Sequence, residues 1–179
     1  MSKLAYSWEN ELRASLTPSY ELRAFFDDST YDTQGFLAWN AAEATAVLAF
    51  RGTESIADVN TDLYQEQVAL LPELPSVKVV AGFLYAFKAI EKQIETAVDK
   101  LLKEVTPMGV KRFYVTGHSL GGALATLGAV SVSVQLYDKK YGPGPKDVPL
   151  RMVTVAAPPV GNKAFKKYFQ DPPTPARAF

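Results

Sequence analysis

The stretch FYVTGHSLGGALATLGA, Phe113 to Ala129, runs from a β-rich segment through Gly-His-Ser-Leu-Gly into an apolar segment of small residues. Gly117, Ser119 and Gly121 fit G-x-S-x-G, and the pattern predicts a strand, a tight turn with Ser119 at its tip, and a buried helix. Glycines at 117 and 121 remove side chains that would collide across such a turn. The helix start aims free N–H groups and a positive dipole end at the serine, where an oxyanion would develop. The plainer reading is a Gly-Ser turn joining strand to helix. The strand–turn–helix setting favours a nucleophile.

The same turn holds the only histidine of the chain, His118. A serine nucleophile needs a base within about 2.6–3.2 Å, itself oriented by a carboxylate. His118 directly precedes Ser119, so its side chain should diverge from the serine and pack beside the turn. The chain offers no second histidine for the task.

Working outward, RMVTVAA (Arg151 to Ala157) reads as a strand. GFLAWN (Gly35 to Asn40) and TAVLAFRG (Thr45 to Gly52) read as a hairpin or neighbouring strands, and VKVV (Val77 to Val80) as a further strand. Phe83, Phe87, Ile90, Ile94, Val98 and Leu101 recur at three- and four-residue steps, predicting an amphipathic helix of about five turns. Near the start, Leu12, Leu16, Leu22, Phe25 and Phe26 fall at helical spacing, interrupted by Pro18. KKYGPGPKDVP reads as a loop and NKAFKKYF as the start of a last helix. Strands alternating with helices point to an α/β fold with a largely parallel sheet and flanking helices. The proline-dense tail DPPTPARAF cannot be a central strand.

Composition narrows the partners. A chain of 179 residues suits one domain with a real core, and 47% hydrophobic against 21% charged residues excludes a disordered chain. Nineteen basic residues balance nineteen acidic ones, so bulk charge points to no nucleic acid or acidic membrane. Cysteine is absent, which excludes disulfides and thiolate metal sites, and no metal or cofactor is expected. The first residues, MSKLAYSWENELRASL, lack the apolar core of a secretory signal, which makes the cytoplasm the default expectation and leaves a processed secreted form open. No apolar run reaches membrane-spanning length; the one after Ser119 breaks at Gln135 and Asp138.

AFRGTESIADVNTDL (Ala49 to Leu63), TGHSLGGALA and VAAPPVGNKAF occur in that order, with DTQGFLAWN and AGFLYAF at less specific positions. Together they resemble the class 3 lipases, the fungal-type triacylglycerol lipases with an α/β-hydrolase core, from about Asp32 to Phe165. The resemblance implies that residues 1–179 form one incomplete domain of that kind. It implies an ester hydrolase acting on acylglycerols or related lipid esters through an acyl-enzyme on Ser119. Thr53 and the Leu120 N–H would form the oxyanion hole, and Asp62 would hold the Thr53 hydroxyl. Ser55 to Asp62 would be a lid that opens at a lipid interface. Plainer roles stay open: a Gly-Thr turn for Thr53, a helix cap or solvated acid for Asp62. A structural ion pair is expected for Arg51.

The chain departs from the family at Val59, where tryptophan is frequent, at Val80 in place of the histidine of V-H-x-G-F, and at Pro159 in P-R-V-G-N. The family's catalytic aspartate and histidine follow the serine in the order Ser…Asp…His. Here no D-x-V-P strand follows NKAFKKYFQ, and Asp171 sits in the proline-rich tail without a strand before it. The chain therefore reads as the N-terminal two-thirds of a class 3 lipase. The alternative is a pseudoenzyme or fragment that binds lipid or acyl groups without turnover. Missing later strands would leave a sheet edge open to self-association, with Val153, Val155, Phe165 and Phe169 exposed.

Overall fold

The structure, a computed structural model, describes residues 10, 13, 16, 18–52, 66–105, 109–137 and 148–170. Thr53, the lid from Ser55 to Asp62 with Val59, Asp62 itself and Asp171 lie outside the described residues.

Three strands open the fold: β1 (Glu21–Asp28), β2 (Thr33–Asn40) and β3 (Thr45–Phe50). They pair antiparallel because the turns between them are too short for a crossover. Each turn is built by one acceptor side chain. Asp28 Oδ1 accepts from the N–H groups of Thr30 (3.0 Å) and Tyr31 (2.9 Å), and Asn40 Oδ1 accepts from Glu43 N–H (3.1 Å). The predicted hairpin of GFLAWN and TAVLAFRG is this β2–β3 pair.

The helical spacing at Leu22, Phe25 and Phe26 does not yield a helix; these residues lie in β1. An aromatic, half-buried run fits a pleated surface as well as a helix, and pairing along the whole of β2 decides the outcome.

After β4 (Gln67–Ala69) and β5 (Lys78–Val80), which form a small antiparallel pair, comes helix α1 (Ala81–Glu104). Its predicted stripe is the buried one: Phe83, Phe87, Ile90, Ile94, Val98 and Leu101 all lie in the core. The opposite side carries Lys88–Glu91, Lys92–Glu95 and Lys103–Asp99 pairs. Strand β6 (Arg112–His118), helix α2 (Leu120–Tyr137), strand β7 (Leu150–Val155) and helix α3 (Lys163–Gln170) complete the described chain.

The main sheet has the order β1-β2-β3-β6-β7. Its β3-β6-β7 half is parallel, so the sheet is mixed and its parallel part is the part that bears the serine turn. Helices α1 and α2 cover one face, where Leu37, Trp39, Leu48, Phe50, Phe113 and Val115 are buried. The ring of Phe50 meets that of Phe87 on α1, with centroids 6.3 Å apart. On the other face Val47, Tyr114 and Thr116 are half-buried, while Val153 and Val155 of β7 are 55% and 59% exposed.

Phe165 is not exposed as expected but 4% accessible. Asn162 is the reason. Its Oδ1 accepts from Phe165 N–H (2.8 Å), its Nδ2 donates to the Ser76 carbonyl (2.9 Å), and its own N–H donates to the Lys78 carbonyl (3.0 Å). One side chain thus caps α3 and folds it onto the segment leading into β5. Phe169 is half-buried, its ring centroid 6.0 Å from that of Phe165.

Candidate active site

Strands β3 and β6 are parallel neighbours with Phe50 opposite Gly117, so both chains leave the sheet on the same edge. The exits touch. A Cβ on Gly52 would lie 2.6 Å from the His118 carbonyl oxygen. A Cβ on Gly121 would lie 2.5 Å from the Phe50 carbonyl oxygen and 2.9 Å from the carbonyl carbon of Arg51. The start of α2 is therefore pressed against the backbone leaving β3.

Ser119 stands alone between β6 and α2, with φ at 54°. This left-handed conformation costs a non-glycine residue about 1–3 kcal/mol and is kept only where the surroundings enforce it. Here its N–H donates to the Val155 carbonyl (2.9 Å), and its carbonyl accepts from the N–H groups of Gly122 (2.9 Å) and Ala123 (3.3 Å). Gly117 permits the reversal, since a Cβ there would lie 2.1 Å from the Gly121 carbonyl oxygen. Leu120 is the first helical residue, so its N–H has no acceptor within α2 and belongs to the positive end of the helix. Strand, turn and helix fall where the G-x-S-x-G pattern places them.

His118 ends β6 opposite Val155 and is exposed rather than packed beside the turn. Among the hydrogen bonds of the described residues none joins it to Ser119. Its Nδ1 lies 3.8 Å from the position a Cβ on Gly52 would take.

Arg51 makes the structural ion pair expected of it, and more. Its Nη2 donates to Asp32 Oδ2 and its Nη1 to Gln34 Oε1, both at 2.6 Å, while its N–H donates to the Gln34 carbonyl at 2.9 Å. Gln34 is buried and passes the bond on, donating from Nε2 to Asp27 Oδ1 (2.8 Å). Sequence reading missed these partners. Nothing local in D-T-Q-G says that its glutamine meets an arginine seventeen positions later. The role of Asn162 was nearer to hand: an asparagine three residues before an apolar helix position is an N-cap signal.

An apolar cavity of about 170 Å³ lies between α1, α2 and α3, lined by Leu84, Phe87, Leu127, Val130 and Tyr168 among others. Burial, and then the charge of Glu73, push the Tyr168 hydroxyl above its ordinary pKa. Leu127, on its wall, sits about 12 Å along α2 from the serine turn at 1.5 Å per residue. Among the described residues no group of three His, Asp or Glu side chains could hold a metal ion, and no helix is long and apolar enough to cross a membrane.

Comparison with known proteins agrees with this geometry. The sequence pattern of the family Lipase (class 3) matches residues 47–174, which include most of β3 and all of β6, α2 and β7. The lipase of Rhizopus niveus is 31% identical over 153 residues, covering 86% of this chain and 36% of that protein. The native Rhizomucor miehei lipase propeptide complex superimposes with a TM-score of 0.73 at 27% identity, covering 92% of this chain and 52% of the other. Lipase II from Rhizopus niveus gives 0.70 at 30% identity, covering 86% and 54%. The chain thus spans roughly a third of the length of the curated relatives it matches and about half of the solved lipases. A matched pattern over most of the sequence and a fold shared with solved lipases lead to one conclusion: this chain belongs to the class 3 lipase family.

Proposed function

We propose that Ser119 is the nucleophile of a lipid-ester hydrolase. The observation that carries the reading is the left-handed Ser119, held by the Val155 carbonyl at the mouth of two parallel strands. In this mechanism Ser119 Oγ attacks the ester carbonyl and the alcohol leaves. Water then releases the acid from the acyl-enzyme. The developing oxyanion takes hydrogen bonds from Leu120 N–H and from Thr53, whose neighbour Gly52 lies against the serine turn. Asp62 orients the Thr53 hydroxyl, and the segment from Ser55 to Asp62 closes over the acyl groove. The relatives named lipases support a lipid ester as substrate.

The proton from Ser119 needs a base, and the only histidine is an exposed strand end without a bond to the serine. That observation favours a second reading for these 179 residues on their own: acyl binding, with turnover waiting on a base that they do not carry. Hydrolysis of p-nitrophenyl butyrate by the 179-residue chain separates the two. Turnover several orders of magnitude below that of a fungal lipase, lowered further by Ser119→Ala and indifferent to His118→Ala, fits a nucleophile without its base. Turnover unaffected by Ser119→Ala would refute the assignment of the nucleophile.

A further inference from the structure

We infer that α3 docks this chain onto anionic lipid surfaces, with Lys163, Lys166 and Lys167 meeting the phosphate groups of the lipid heads. The choice of a lipid surface rests on the lipid-ester reading of Ser119; the charge arrangement does not. At 3.6 residues per turn, the three lysines of KAFKKYFQ share an arc of about 100° with Gln170, while Ala164, Phe165, Tyr168 and Phe169 take the opposite side. All three lysines are exposed, and among the described residues none has a carboxylate within ion-pair distance. Helix α1 is the contrast: each of its lysines, Lys88, Lys92, Lys100 and Lys103, pairs with a glutamate or aspartate. Basic and acidic residues balance at 19 each over the whole chain, so the excess on α3 is local. Lys78 brings a fourth exposed charge to the start of α3, since its carbonyl accepts from the N–H of Asn162 (3.0 Å). Glu73, the acid whose charge reaches Tyr168, flanks the helix on its apolar side.

The helix is fixed in place. Phe165 is buried, and Asn162 caps α3 while its Nδ2 donates to the Ser76 carbonyl. With its apolar side packed on the protein, α3 has little to insert into a bilayer. Contact is therefore with headgroups and depends on charge. The helix also belongs to the edge of the sheet that carries the serine. Phe87, in the second turn of α1, meets Phe50, the last residue of β3, so α1 starts at the edge where β3 and β6 end. Val80 immediately precedes α1 and donates its N–H to the Val160 carbonyl (2.9 Å), two residues before Asn162. A lipid surface held by α3 is thus brought to the edge that bears Ser119.

The test is co-sedimentation of the whole chain with vesicles of phosphatidylcholine, alone or with about 30% phosphatidylglycerol. The parent should bind the anionic vesicles, leave the neutral ones, and come off in about 0.5 M sodium chloride. A triple variant, Lys163→Gln with Lys166→Gln and Lys167→Gln, should bind on the order of 10²-fold more weakly, since each lysine near such a surface contributes about fivefold. A charge-matched triple at the far end of α1 and the approach to β6, Lys100→Gln with Lys103→Gln and Lys111→Gln, should lose less than about threefold. Both triples change only exposed side chains, and melting curves check that each is folded. A parent that sediments equally with both kinds of vesicle, or an α3 triple no weaker than the α1 triple, overturns the inference. Tighter binding to soluble polyglutamate than to the anionic vesicles assigns the lysines to an acidic protein surface and overturns it as well. Labelling of Ser119 by a p-nitrophenyl alkylphosphonate in the same preparations keeps the two readings apart. Absent vesicle binding with Ser119 labelled removes the docking surface alone, whereas vesicle binding with Ser119 unlabelled refutes the nucleophile and leaves the docking surface standing.

Discussion

The N–H of Ser119 donates to the carbonyl of Val155 at 2.9 Å, so the last strand of the described sheet holds the serine in its left-handed conformation. Glycine adopts that conformation freely. Ser119→Gly should therefore raise stability toward chemical denaturation by about 1 kcal/mol while removing any reaction at this position. A destabilised glycine variant would mean that the serine hydroxyl itself supports the turn.

Gly117→Ala should act in the opposite direction. Its Cβ would meet the Gly121 backbone carbonyl oxygen at 2.1 Å, and neither atom can rotate away. Overpacking of this kind costs about 1–3 kcal/mol or more. Thermal unfolding should show the loss, together with a drop in Ser119 labelling. A variant as stable and reactive as the parent would place the turn elsewhere.

Asn162→Ala removes the cap of α3 and, with it, the bonds to the Ser76 carbonyl and the Lys78 N–H. A lost N-cap costs about 1 kcal/mol, and the accompanying tertiary bonds add to it. Hydrogen exchange should speed up both in α3 and across Ser76–Lys78. Faster exchange in α3 alone would show that the asparagine caps the helix without tying it down.

Val153 and Val155 stand exposed on β7, the last strand among the described residues. We expect this strand to mediate self-association of the isolated chain. Replacing both valines with lysine should shift size-exclusion elution toward monomer while stability changes by less than about 0.5 kcal/mol per site. An unchanged elution profile would remove β7 from the account.

What could be read in advance follows from how local each signal is. Helix α1 was legible because its six core positions repeat at the helical period over one long segment with a single buried face. The serine turn was legible because its two glycines and the small-residue run sit next to one another. Strand β1 was not, since Leu22, Phe25 and Phe26 fall at helical spacing and only pairing with β2 overrides it. Strand β4 has three residues, QVA, and lacks the run of β-branched residues that made the equally short β5 legible. Gln34 and Asn162 derive their roles from partners far away in sequence, Arg51 and Ser76, and long-range hydrogen bonds leave no trace in composition or period.

The central claim is that Ser119 is the reactive nucleophile of this chain. Peptide mapping by mass spectrometry after treatment with a p-nitrophenyl alkylphosphonate tests it most directly. In that reaction Ser119 Oγ bonds to phosphorus, p-nitrophenolate departs with the bonding electrons, and the hydroxyl proton passes to buffer. The account predicts a single phosphonyl adduct, carried by the peptide that contains Ser119 and absent from Ser119→Ala. An unmodified Ser119 beside adducts spread over other serines and tyrosines would contradict it.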